Sequence, residues 1–259
     1  MPDANVTLTL IGGPTLLIEV GGLRLLTDPT FDAPGNYEAR GARGVPLAKT
    51  AGPAIPPDAL GPVDAVLLSH DQHFDNLDRA GRAFLQNART VLTTREGAER
   101  LGGNARGLAP WEAVEIAAAA GGHLRVTATP ARHGPVGIEP ISGSVIGFVL
   151  APADEQPAIY VSGDTVWYDG VAEVARRFRV GTAILFTGSA KPRGAFHVTM
   201  DANDAIEAAH AFSDAAIVAI HNEGWMHFTE SRDDLAQAFS ALGLADRLRR
   251  LERGVPVRL

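Results

Sequence analysis

Cysteine is absent from the chain. That excludes disulfides, thiolate nucleophiles and cysteine-based zinc sites, so any transition metal must be held by histidine, carboxylate or amide groups. Lysine is scarce and the net charge is −7. That balance argues against a nucleic-acid partner held by general electrostatics. Arg247, Arg249, Arg250 and Arg253 alternate with leucines and read as the solvated face of a helix. No apolar run reaches the length of a bilayer span, and the N-terminus has no basic segment leading into an apolar one. The expectation is a cytoplasmic protein with no membrane span. Linkers, low-complexity tracts and repeats are also missing. With 259 residues, 46% of them hydrophobic, the chain can bury a sizeable core, and we read 1–259 as a single domain. A homo-oligomeric state is left open.

What is present begins with β-rich runs over 6–11, 15–20 and 23–27, punctuated by Gly12-Gly13 and Gly21-Gly22. Paired glycines between such runs signal hairpins. Thr30 to Pro62 is rich in Gly, Pro and Ala and reads as a long irregular connection, a candidate flap over a site. An apolar strand over 63–69 follows, then a helix over 79–86, a strand over 89–93 and a helix over 95–101. Gly121-Gly122 predicts a hairpin turn, and a polar turn around Asp154 joins two further strands. From there strands and helices alternate. Asp201 is placed to cap a helix over 201–212, and Ser231 or Thr229 one over 231–242. The order predicts an α/β fold, a four-layer αββα sandwich of two mixed β-sheets.

Four apolar runs each end in a potential metal ligand: Val66–Ser69 at His70, Val126–Arg132 at His133, Ile159–Gly163 at Asp164 and Ile217–Ile220 at His221. His73 and Asp75 stand just beyond the first. A lone strand-end histidine is usually a hydrogen-bonded surface residue, and Gly163-Asp164 is by itself an ordinary turn. Their coincidence is more informative, because strand ends at one edge of a sandwich lie close together. Convergent His and carboxylate groups without cysteine describe a hydrolytic metal site, not a structural zinc site.

The ordered set of strand meander, Ser69-His70-Asp71-Gln72-His73-Phe74-Asp75-Asn76-Leu77-Asp78, Ala131-Arg132-His133-Gly134-Pro135, Ser162-Gly163-Asp164-Thr165 and His221-Asn222-Glu223-Gly224-Trp225 resembles the metallo-β-lactamase-fold hydrolases. Within them it is most similar to the branch of ascorbate phosphate lactonase and N-acyl phosphatidylethanolamine phospholipase D. The resemblance spans about Thr7 to Phe239. That family's first motif is His-x-His-x-Asp-His. Here His73 comes one residue late, and Asn76 stands where the last His belongs. One register lengthens the loop and pairs His70 with His73. The other pairs His70 with Gln72 and sends His73 to a second site.

The first register implies one ion at His70, His73 and His133, bridged by Asp164, and a second at Asp75, Asp164 and His221, with an amide from Asn76 or Gln72. An amide oxygen suits harder ions, so one or two divalent metal ions, zinc or manganese, are the implied cofactors. The implied activity is metal-dependent hydrolysis of an ester, lactone or phosphoester of a small molecule by a metal-bound hydroxide. Such an ion lowers the pKa of water from about 15.7 to about 7. Asp75 would orient that nucleophile. His227 would act as general acid or hold a substrate anion; a stacked, inert histidine beside Trp225 and Phe228 is the plain alternative. Asp28 reads either as a support for the site or as a turn residue, and His197 as a cleft residue or a neighbour of the Asp201 helix. Lys191 and Arg193 read as attractors of an anionic substrate or as a solvated loop. Trp111 and Trp167 read as packing residues or cleft walls, and His123 and His210 as structural. Because Gln72 and Asn76 depart from the motif, a decayed member of the fold that binds a metabolite or partner is the alternative function.

Overall fold

A computed structural model describes residues 6–39, 44–118, 123–152 and 156–259. The turns expected at Gly121-Gly122 and Asp154 lie outside the described residues. Two seven-stranded sheets dominate the fold. The first has the order Pro256–Arg258, Thr7–Gly12, Thr15–Val20, Leu23–Thr27, Val63–Leu67, Ala88–Thr94 and Ala105–Leu108. The second has the order Leu248–Arg249, Ala216–Ile220, Val180–Phe186, Ala158–Val161, Ile146–Pro152, His123–Pro130 and Ala113–Ala117.

Alternation along the strands builds the layers. Leu8, Leu10, Leu16 and Ile18 from the first sheet meet Val126, Phe148, Leu150 and Ile184 from the second in one buried cluster. The opposite face of the second sheet packs against helices Asp169–Arg177, Ala202–Ala211 and Arg232–Ala241 through Val174, Ala205, Ala208, Leu235 and Phe239. The opposite face of the first sheet is covered by Phe31, Leu60, Leu77 and Phe84. A period-2 strand offers both its faces, and here each face finds its own apolar layer. The four-layer αββα arrangement is the one the order of elements predicts.

Both sheets switch from antiparallel hairpins to parallel strands. Parallel strands end on the same side, and that edge is where an open α/β sheet binds its ligands. Asp28 follows Thr27, Ser69 and His70 follow the strand ending at Leu67, Asp164 follows Val161, and His221 follows Ile220. Helix entries agree with expectation. Asp201 accepts from the Asp204 N–H, and Ser231 forms a reciprocal capping box with Asp234.

Three local expectations are corrected. The stretch Thr30 to Pro62 is not wholly irregular: Gly35–Tyr37 pairs with Leu47–Lys49, and Pro57–Leu60 is helical. Ala105–Leu108 is an additional edge strand, short and half-exposed, with little apolar alternation to announce it. The arginines of 247–253 do not share a helix face, although Arg249 and Arg250 are exposed. Arg247 sits in a 3₁₀ turn, and its guanidinium donates to the carbonyls of Ala209, Phe212 and Ala215. It thereby satisfies carbonyls at the C-terminal end of the helix Ala202–Ala211. Arg249 lies in the strand Leu248–Arg249, Arg250 reaches Asp233, and Arg253 pairs with Glu223.

Candidate metal centre

His70 enters the site from a strand end with no freedom of orientation. Ser69 donates its N–H (2.9 Å) and its hydroxyl (2.7 Å) to Asp28 Oδ1. The hydroxyl proton is thereby committed, so Ser69 Oγ can only accept from His70 Nδ1, 2.9 Å away. The proton of His70 therefore sits on Nδ1 and its Nε2 lone pair faces the cavity. His133 is fixed in the same sense, with Nδ1 2.7 Å from the Val198 carbonyl, which can only accept. Asp28 thus supports the site through Ser69, the first of its two readings. Its backbone has φ +26° and its carboxyl is buried, which pushes its pKa well up.

The two Nε2 lone pairs converge on His73. His73 Nδ1 is 2.8 Å from His70 Nε2 and 3.2 Å from His133 Nε2. Asp164 Oδ2 closes the group, 3.6 Å from His133 Nε2 and 4.0 Å from His70 Nε2. Burial and the neighbouring His73 push the pKa of His70 well down, and burial and His133 push His73 down to about 4. These imidazoles are therefore neutral at pH 7, with unshared pairs crowded into one space. Asp164 Oδ2 has no hydrogen-bond partner among the described residues. An oxygen without a donor beside converging nitrogen lone pairs fits a divalent cation. Gln72, the partner of His70 in the other register, lies instead against Gly143.

A second group adjoins the first. Ligand atoms of Asp75, Asp164 and His221 lie within 4.8 Å of one another. His221 Nε2 is 3.4 Å from Asp164 Oδ1 and 3.7 Å from Asp75 Oδ2. The backbone of His221 adopts φ +56°, and its N–H is tied to the Gly13 carbonyl. Asn76 does not replace the missing imidazole symmetrically. Its Nδ2 donates to Asp164 Oδ1 at 3.2 Å, while its own Oδ1 is buried without a partner among the described residues. His227 Nε2 stands 3.0 Å from Asp75 Oδ2. Burial works against ionisation of both carboxyls. The hydrogen bond and charge of His227 together with the charges of His221 and His73 outweigh it at Asp75, and the charges of His221, His133 and His70 with a His221 hydrogen bond outweigh it at Asp164, so both are held well below the usual carboxylate range. Burial likewise opposes the charge on His221, but Asp164 and Asp75 draw its pKa up.

Close approach of the two sheet edges depends on Gly163, at φ +60°. A Cβ there would lie 2.6 Å from the Ile146 carbonyl and 2.9 Å from Ser69 Cβ. Any side chain would drive Asp164 away from the strand end that carries His70.

The remaining candidates divide. His197 turns from the cleft to Asp204, 3.2 Å away, beside the helix that Asp201 caps. Trp111 and Trp167 pack against the helical layer, while His123 and His210 are exposed. Arg193 lines the cavity over the centre and Lys191 an adjoining cleft. Two pairs lay beyond sequence reasoning. Asp71, next to His70, binds Arg100 at 2.5 Å. Lys49 is buried, with Nζ 2.8 Å from Asp78 Oδ2, and so ties the hairpin of the expected flap to the end of the His70 loop. Asp78 was readable as the cap of the helix that follows, but no local signal marks its partner.

The cavity has a volume of about 450 Å³, with His73, His133, Asp75 and His227 on its floor and Leu47, Phe74, Ile138, Ile141 and Val198 among its walls. A protein-family model described as a beta-lactamase superfamily domain matches residues 23–222. The chain belongs to the beta-lactamase superfamily. The chain is 26% identical over 238 residues to the UPF0173 protein YddR of Bacillus subtilis, covering 89% of this chain and 91% of that one. Among solved structures, an isothiocyanate hydrolase from Delia radicum gut bacteria superposes with a TM-score of 0.81 at 25% identity, covering 97% of this chain and 98% of that one. A possible metal-dependent hydrolase from Veillonella parvula superposes with a TM-score of 0.84 at 21% identity, covering 99% and 100%, and shares the fold. The superfamily is the one the strand-end residues resemble.

Proposed function

We propose that the chain is a metal-dependent hydrolase in which His70, His73, His133 and Asp164 would hold one divalent ion, and Asp75, Asp164 and His221 would hold a second. The observation that carries this reading is the pair of fixed tautomers. Val198 and the Asp28–Ser69 relay leave His133 and His70 with their Nε2 lone pairs aimed at one point, beside an Asp164 oxygen that lacks a donor among the described residues. A relative from Myxococcus xanthus, 28% identical over 183 residues, is itself described as a UPF0173 metal-dependent hydrolase. Zinc or manganese suits the nitrogen-rich first position, and the amide-bearing second position favours the harder ion.

Those residues would hold a divalent ion whose chemistry is to lower the pKa of water and to polarise the bond to be cleaved. The chain's own groups do the rest. Asp75, ionised under the influence of His227, orients the water and takes its proton. His227, on the cavity floor, gives a proton to the departing group. Mostly apolar walls exclude bulk water and select a small molecule whose body is apolar. The substrate is an ester, lactone or phosphoester of such a molecule. An isothiocyanate belongs in the same test because one structural relative hydrolyses that class.

The test is elemental analysis of the purified protein combined with a substrate panel, with and without added Mn²⁺. At least one equivalent of zinc or manganese is expected, lost in His133→Ala and Asp164→Ala together with turnover. Full metal content and activity in both variants would place the centre elsewhere.

A further inference from the structure

His227 belongs to two cavities at once. One is the apolar cavity over the His and Asp cluster. The other is an open cleft of about 510 Å³ on its far side. Leu47, Pro192 and His227 line both, so they form the shared wall. The two compartments differ in chemistry. Beyond the shared wall the first is faced chiefly by Phe74, Ile138, Ile141 and Val198, with Arg82, Arg100 and Arg193 at its margin, whereas the cleft presents Asn36, Glu38 and Lys191 beside Tyr37 and Met226. Asn36 and Glu38 are exposed, and the cleft therefore offers water, one carboxylate and one ammonium group. The wall is held in place from behind. The Met226 N–H donates to the Ala48 carbonyl at 3.0 Å and the Lys191 N–H to the His227 carbonyl at 2.9 Å.

A hydrolase whose proton donor stands between an apolar and a polar compartment is built for a substrate with two unlike halves. We propose that the substrate is an open-chain carboxylic ester or amide whose apolar acyl group fills the inner cavity and whose polar, charged alcohol or amine lies in the outer cleft. This deepens the hydrolase reading and rests on it. The water oxygen bonds to the carbonyl carbon while Asp75 takes a proton from that water. The carbon–oxygen or carbon–nitrogen bond to the leaving group breaks, its electron pair stays with the leaving atom, and His227 protonates that atom. One water is consumed, and a carboxylic acid and a free alcohol or amine are released. The acyl product stays in the inner cavity, and the polar product already stands in the open cleft.

Each methylene buried in the inner cavity is worth about fourfold in kcat/KM. The test uses the full-length, metal-loaded protein and three esters followed by acid release: hexanoylcarnitine, acetylcarnitine and cyclohexyl hemisuccinate, the last with its polarity reversed. Hexanoylcarnitine is expected to exceed each of the other two by about tenfold or more in kcat/KM. Ile141→Asp should lower the hexanoyl-to-acetyl ratio, and Lys191→Glu should raise KM for both carnitine esters, with metal content unchanged in each variant. Equal or faster turnover of the hemisuccinate, or an unchanged ratio in Ile141→Asp, overturns the assignment. A metal-loaded protein that cleaves a lactone, a phosphoester or benzyl isothiocyanate but neither carnitine ester overturns it and leaves the hydrolase reading standing. One that is inert to every compound overturns both.

Discussion

Removing the hydroxyl of Ser69 tests the logic of the centre without touching a proposed ligand. In Ser69→Ala, Asp28 Oδ1 keeps the Ser69 backbone N–H but loses the 2.7 Å hydroxyl donor, and His70 Nδ1–H loses its 2.9 Å acceptor. Both groups are fully or almost fully buried, with relative exposures of 1% for Asp28 and 0% for His70, so no water readily replaces what is lost. A hydrogen bond contributes about 0.5–1.5 kcal/mol, and a buried donor left unsatisfied costs about 1–3 kcal/mol. The ring of His70 is then free to rotate or to change tautomer. Partners that orient a ligand in this way are worth about 10- to 100-fold in metal affinity. The assay is competition for Zn²⁺ against a chromophoric chelator, with urea unfolding of the metal-free protein run in parallel. The expected outcome is a metal dissociation constant raised by about 10- to 100-fold and a lower urea midpoint. Asp28→Asn keeps an acceptor oxygen for Ser69 and should cost less. An unchanged affinity in Ser69→Ala would show that His70 is not oriented through Ser69, and the tautomer argument would then stand on His133 and Val198 alone.

Further tests address other parts of the site. His227→Ala should lower kcat by about 10²- to 10⁴-fold with metal content intact, the loss growing as the leaving group becomes more basic; an equal loss for all leaving groups would refute proton donation. Asn76→His supplies an imidazole where Asn76 now donates to Asp164, and isothermal titration should then show a tighter second equivalent of metal; a second equivalent no tighter than in the parent would refute a role for position 76 in that site. Metal-free protein should lose stability as pH falls. The pKa of His73 is lowered in the fold to about 4 from an ordinary value of 6.5. The unfolded chain therefore binds the extra proton first, and the contribution of His73, complete above pH 6.5, is lost progressively down to about pH 4. Thermal melts of His73→Gln should be flatter over that window than those of the parent; parallel curves would show that His73 is not held neutral.

Much of this architecture was legible because apolar runs stop abruptly at polar residues. Val66–Leu68 before His70 and Ile217–Ile220 before His221 announce buried strands whose ends carry chemistry, and parallel pairing does the rest. Asp201 and Ser231 were readable as caps because capping is decided within four residues. What escaped depends on partners far along the chain. Arg247 looks like a solvated arginine until the helix end at Ala209 and Phe212 lies beside it. Strands of three residues, such as Gly35–Tyr37 and Leu47–Lys49, are too short for any periodicity to register. The register of the His70 loop was open in the sequence because either His73 or Gln72 satisfies a spacing, and only the fold brings His73 Nδ1 between His70 and His133.

Lysine occurs only at positions 49 and 191. The ammonium of Lys49 is buried against Asp78, so acylating reagents that seek primary amines find Lys191 the one accessible side chain of that type. Tethering the protein to a surface or a dye through that side chain would place the attachment point on the polar cleft beside His227. Immobilised preparations should accordingly look less active than the free protein unless coupling is directed to carboxylates or to an added tag.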